Sequence, residues 1–145
     1  MNMGEVSKDH ISRIQHELKS LGVSRFGRLK FGIRYLPKLI HEDEHIGGVV
    51  YGRYRTGPGL MSLAEGLLVA TDKRVIFLDH KPGYTTSDEV TYDVVSGVEM
   101  SSVSFMYSVV LHTKVKNYSI RFANGKCANT FTHYVESRRL ENNQH

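Results

Sequence analysis

The stretch from Gly66 to His80, GLLVATDKRVIFLDH, does most to limit what this chain can fold into. Two short apolar runs, 67–70 and 75–78, are separated only by Thr71, Asp72, Lys73 and Arg74. Runs this short, rich in β-branched residues and bounded by polar ones, predict two buried strands joined by a tight hairpin. Asp72 suits the turn because its carboxylate can accept a nearby backbone N–H.

Upstream of the hairpin the period changes from strand to helix. Ile11, Ile14, Leu18 and Leu21 recur at spacings of three and four, which predicts a helix over 7–22 with Ser7 as N-cap and Gly22 as its stop. Its apolar stripe is narrow, so the helix is expected to lie on something larger. Over 24–40, Leu29, Ile33, Leu36 and Ile40 share one face, and Lys30, Arg34 and Lys38 lie opposite. Pro37 predicts a break or kink at Leu36, and Gly27 and Gly32 weaken the helix further. From Arg25 to Lys38 there is no acidic residue, and Phe26, Phe31 and Tyr35 are interleaved with the basic ones. Such a face suits a membrane surface or nucleic acid, or is the solvated back of a helix packed on a barrel. The packing stripe on the other side favours the second.

The rest of the chain reads as strands. Residues 46–55 form one, with Gly47, Gly48 and Gly52 allowing it to bend. Gly57, Pro58 and Gly59 make 56–62 a loop with Leu60 and Met61 at its tip. Past the hairpin, 81–87 reads as a second loop. Val90, Tyr92 and Val94 then alternate with Glu89, Thr91 and Asp93, which predicts a strand. Gly97 permits a bend into 98–100. One alternation runs unbroken over 103–112, and Tyr118, Ile120 and Phe122 give a last strand. Asn124-Gly125 fits either a type I′ turn or a helix cap. The spacing of Ala128, Phe131 and Val135, with Arg138 and Arg139 at the end, selects the helix. The expected fold is α+β and mainly β. It is a bent, partly open antiparallel barrel of seven strands over 44–143, ending in a helix and preceded by a helical segment over 1–43 packing on or beside it.

Several classes of function are excluded. Composition (40% hydrophobic, 23% charged residues) is that of an ordinary soluble domain. No apolar run approaches the roughly 20 residues that span a bilayer. The first eight residues lack the apolar core of a secretory signal, so a cytoplasmic location is expected. The lone Cys127 can form no internal disulfide. Lys126 and a helix start beside it would lower a thiol pKa, but a small residue opening a helix is the simpler reading. A net charge of +4 is a mild bias towards anionic partners. His41, Glu42 and His45 match the HExxH pattern of zinc hydrolases. Between Pro37 and Gly47, however, there is no room for the helix that would pair the two imidazoles, so no metal is expected. Without a GxSxG, GxGxxG or P-loop pattern, neither an enzyme nor a cofactor is expected.

The wording GLLVATDKRVIFLDHK, with YLPKLIHEDEHI before it and VTYDVVSGVEM after it, resembles bacterial PH-like domains of the YokE-like type, over about 34–136. The resemblance implies the PH superfold, a bent seven-stranded sheet closed at one end by its last helix. It also implies binding of phosphoinositides, proteins or neighbouring domains rather than catalysis. In phosphoinositide-binding members, basic residues of the first two strands hold the phosphates. Here only Arg53 and Arg55 approximate them and the earlier lysine is missing, so headgroup specificity is not expected. The connections 56–63, 80–87 and 112–116 are expected to meet at the open end. They would gather Arg53, Arg55, Lys81, Lys114 and Lys116 around the apolar Leu60 and Met61, with Glu65 and Asp88 the nearby acids. The expected function is a binding module for a protein partner or an anionic phospholipid surface, peripheral to the membrane in the second case, with no specific nucleic acid. The alternatives are a homo-oligomeric assembly protein using loop 57–63 and the first helix, and more remotely the HExxH hydrolase.

Overall fold

The computed structural model describes residues 6–23, 29–59 and 62–143. Helix α1 spans Lys8–Ser20, and the Ser7 hydroxyl caps it by accepting the His10 N–H at 3.1 Å. It ends in a Schellman motif: Gly22 adopts φ 80°, Val23 N–H donates to Leu18 O and Gly22 N–H to Lys19 O, both at 3.0 Å. The buried face is His10, Ile14 and Leu18, with Ile11 and Leu21 only half-buried.

Helix α2 spans Leu29–Leu39 and runs through Pro37 instead of breaking at Leu36. A proline this close to the C-terminus removes a single hydrogen bond, and Leu36 and Pro37 are both buried in return. The imidazole of His10, which the apolar pattern passed over, donates from Nε2 between Pro37 O at 3.0 Å and Ile40 O at 2.8 Å. These carbonyls lie at the end of α2, so one buried ring ties the two helices together. Lys30, Arg34 and Lys38 form the exposed back of α2, as the packing stripe implied.

Seven antiparallel strands follow among the described residues: β1 Ile46–Arg55, β2 Leu63–Thr71, β3 Arg74–Lys81, β4 Tyr84–Thr91, β5 Val95–Val103, β6 Met106–Thr113 and β7 Asn117–Ala123. They are ordered β4-β3-β2-β1-β7-β6-β5, so β4 and β5 are the two edges and the barrel stays open between them. Where β1 meets β7, a side chain at Gly52 would overlap the Arg121 carbonyl. Helix α3, Gly125–Asn143, starts at Asn124, whose Oδ1 accepts from Lys126 N at 3.0 Å and Cys127 N at 3.1 Å. Its Ala128, Phe131 and Val135 close the interior core against Val50, Leu68, Val109, Leu111 and Ile120. A second core on the outer face joins Ile14, Leu18, Ile33 and Leu36 to Val49, Leu67, Val69, Ile76 and Leu78. Strands β2 and β3 are therefore covered on both faces, which is why their apolar runs are continuous.

Three expectations fail in the second half of the barrel. The loop expected over 81–87 is a turn of only Pro82 and Gly83, with Gly83 at φ 78°, followed directly by β4. Exposed on most of its length, β4 has no apolar alternation to betray it. The strand expected over 90–94 gives way to a 3₁₀ turn, Tyr92–Val94, that buries Tyr92. The alternation over 103–112 conceals a reversal at Ser104-Phe105, where Ser104 takes φ 58°, so one expected strand is the end of β5 and most of β6. Nor does Asp72 organise the central turn locally. Thr71 Oγ1 accepts the Lys73 and Arg74 N–H groups at 3.1 Å each, while Asp72 Oδ1 accepts His45 N at 3.0 Å from across the chain.

His41 to His45 forms a turn, with Glu44 N–H donating to His41 O at 3.1 Å, so the HExxH spacing never becomes a helical face. Its residue of consequence is Glu44, which is fully buried. The Glu44 carboxylate accepts from Arg74 Nε at 2.9 Å and Nη2 at 3.0 Å, from Thr71 Oγ1 at 2.6 Å and from His41 N at 3.0 Å. Burial pushes its pKa up, but the bonds from Arg74, Thr71 and His41 outweigh that and bring it from 4.5 down to about 2. Since the folded value lies below the unfolded one, this stabilisation is complete above pH 4.5 and lost as pH falls towards about 2. Glu44→Gln is expected to flatten the acid limb of a stability–pH curve over that window. By leaving Arg74 short of its buried partner, it is also expected to reduce stability at neutral pH by about 3 kcal/mol in denaturant titration.

Candidate functional site

The open end of the barrel is bounded by the end of β1, the middle of β4 and the start of β7. Between them lies a cleft of about 430 Å3 lined by Tyr54, Arg55, Phe77, residues 86–88 and residues 116–119. Its floor is aromatic. Phe77 meets Tyr54 edge-on with centroids 4.9 Å apart and lies 6.0 Å from Tyr118. Positions 75, 77 and 79 of β3 share its inward side, so Asp79 is carried to the same end and is almost wholly buried.

Two tyrosine–aspartate–lysine groups flank the floor. The Tyr54 hydroxyl donates to Asp79, which also holds the Lys81 ammonium. The Tyr118 hydroxyl donates to Asp88, which lies 3.4 Å from Lys116 Nζ. Lys116 also stands over the Tyr118 ring, 4.9 Å from its centroid. The Tyr118 hydroxyl, ahead of Glu89 N–H and Lys116, holds Asp88 below the usual carboxylate range. Burial, followed by the partner carboxylate, pushes both tyrosine hydroxyls well above their ordinary pKa.

Of the expected contact residues, Arg55 and Lys116 line this cleft. Lys81 turns back onto Asp79 and the Glu65 carbonyl, the latter at 3.2 Å, and is not offered to a ligand. Lys114 is exposed on the β6–β7 turn, with its backbone N–H on Val94 O at 3.0 Å. Arg53 is exposed beside Glu65 of β2 and Arg121 of β7. Leu60 and Met61 lie outside the described residues. Of the acids near the site, Asp88 lines the cleft, and a further carboxylate, the buried Asp79, stands behind it on the Tyr54 hydroxyl. The signal for it was an acid on the inward parity of an otherwise apolar strand. Val115, 83% exposed between Lys114 and Lys116, is an apolar tip on this turn.

Cys127 belongs to no site. Its thiol is buried with Sγ 3.7 Å from Leu21 O, and burial raises its pKa against the lesser pull of Lys126.

Residues 40–137 match the family described as bacterial PH domain. No curated protein matches the chain. Among solved structures, the Vps36 N-terminal PH domain is similar at a TM-score of 0.54 and 16% identity, over 73% of this chain and 86% of that one. A Shewanella loihica PV-4 protein with a pleckstrin-homology domain follows at 0.41 and 16%, over 82% and 97%. The hSac2 domain of the human phosphoinositide phosphatase Sac2 gives 0.45 and 13%, over 95% and 85%.

The hydrogen-bonded tyrosines give this site a spectroscopic signature. In an alkaline absorbance titration, Tyr54, Tyr118 and the buried Tyr92 are expected to ionise only when the protein unfolds. Tyr118→Phe should remove one residue from that late class without changing the early one. Early ionisation of all the tyrosines would contradict the pairing.

Proposed function

The chain belongs to the bacterial PH domain family, and we propose that it serves as a non-catalytic binding module whose rim meets an anionic phospholipid surface. The observation that carries this reading is the β6–β7 turn, where an exposed valine stands between two lysines at the edge of the mouth, with Arg55 on the same cleft. A cation at an anionic surface contributes about 1 kcal/mol, and an apolar tip adds burial among the headgroups.

Contact with a charged surface fits this mouth better than a locked inositide headgroup. Lys81 is drawn back onto Asp79 and Lys116 is held by Asp88, so a phosphate entering the cleft meets the Asp88 carboxylate where it needs donors. Absence of catalysis fits the same geometry, because the two tyrosine hydroxyls of the cleft are bonded to carboxylates. We take the branch to be the YokE-like one, on the wording of the central hairpin, and residues 1–43 to be a helical addition to the barrel of 44–143. The location proposed is the cytoplasmic periphery of a membrane.

A protein partner is the second reading. The aromatic floor beside Asp88 favours it, since a basic or amide side chain would find both stacking and an acceptor there.

Vesicles carrying phosphatidylserine are expected to bind the protein more weakly as salt rises, and to lose it when Lys114→Glu and Lys116→Glu are combined. Asp88→Asn, which frees Lys116, should tighten binding. Equal binding by wild type and the double variant, or none by either at low salt, would overturn the membrane reading in favour of a protein partner.

A further inference from the structure

Strand β5 ends the sheet, and its backbone edge is unpaired by any described strand. Its first residues lie under α3, but positions 99–103 are all exposed, on the inward as well as the outward parity. The tip of the β5–β6 hairpin, Val103 to Met106, therefore projects beyond β7, whose pairing with β6 begins at Tyr107. At its end Val103, Phe105 and Met106 are 78%, 94% and 53% exposed. An exposed apolar tip of this kind invites cover.

The β5 edge also lacks the usual defences of a free edge. Past its bulge between Val95 and Gly97, β5 is regular, contains no proline or lysine, and carries Glu99 as its one charge. That carboxylate lies 3.0 Å from His112 Nε2 of the same hairpin. The other edge, β4, is guarded: Glu89 bonds Arg74, and Asp88 is clasped by Tyr118 and Lys116.

We propose that the chain forms a two-fold dimer by antiparallel pairing of β5 with β5 of a second copy. The centre of the exposed run, Ser101, falls on the axis. Opposite residues in such a pair share a face, so Ser101 faces its own equivalent and Glu99 faces Val103 of the second copy. No like charges meet in this register, and each Phe105 tip passes the neighbouring strand near Gly97. The sheets of the two copies become continuous through the paired β5 edges, and each covers the apolar tip of the other. This contact is distinct from the assembly surfaces expected from sequence, because α1 is packed against its own chain.

Sedimentation velocity over a concentration series tests the dimer. Wild type is expected to shift from monomer to dimer, while Phe105→Asp and Ser101→Lys each remain monomeric with unchanged thermal unfolding. Val115→Asp, on the mouth, should still dimerise. Ser101→Cys is expected to give a disulfide-linked dimer on oxidation, with Cys127 buried and silent. A wild type that stays monomeric throughout, or persistent dimers in both β5–β6 variants, overturns the proposal. So would a monomeric wild type whose vesicle binding is lost in Phe105→Asp, which would assign the hairpin tip to the membrane instead.

Discussion

The buried pair of Glu44 and Arg74 is the interaction on which the arrangement of this molecule depends. Arg74 reaches Leu39 O at the end of α2 at 2.7 Å, Glu89 on β4 and the Glu44 carboxylate, while Thr71 adds the β2–β3 turn. A second tie runs beside it. Glu17 of α1 accepts from Arg13 at 2.8 Å and from Ile46 N–H at 3.0 Å, and its Oε2 lies 2.9 Å from His45 Nδ1. Burying an ion pair adds little net stability compared with apolar side chains of similar volume, yet removing one partner is severe. Its value here is registration, because only one placement of the helices on the sheet satisfies every one of those donors.

That placement determines which surfaces remain available. The N-terminal helices cover the outer face of β1 to β3, and α3 fills the interior from one side. What remains open is the aromatic mouth between β1, β4 and β7, together with the β5 edge. Function in this chain is therefore sought where packing stops. The basic back of α2, which invites attention in the sequence, is the solvated side of an element already committed to the core.

Within the mouth, charge is balanced before any ligand arrives. Each lysine there that has an aspartate for partner also has a tyrosine bonded to the same carboxylate, on β1 in one group and β7 in the other. Such pairing rigidifies the rim and lowers its attraction for compact polyanions. The longer-range field of Arg55, Lys114 and Arg53 is left intact, and charges held at this distance act on a diffuse anionic surface more than on a single phosphate.

Much of this architecture was legible in the chain itself. Apolar periodicity placed the two amphipathic helices, the central hairpin and the final helix, because each buries a stripe or a run against a core. The number of strands also followed, although boundaries after Lys81 did not. β4 is exposed on most of its length, and the turn at Ser104 sits inside an alternation that looks the same whether the strand continues or reverses. The resemblance supplied the family, and with it the expectation of a mouth. Tertiary structure alone decided that Glu44, in a motif read for metal, is a buried counter-ion, and that His10 is a strut between helices. It likewise decided that Lys81 is spent on Asp79 while Arg55 and Lys116 share a cleft. Sequence determines which residues must leave water, since that depends on composition and period. Which polar groups go with them, and which partners they meet there, depends on elements far apart in the chain arriving at the same place.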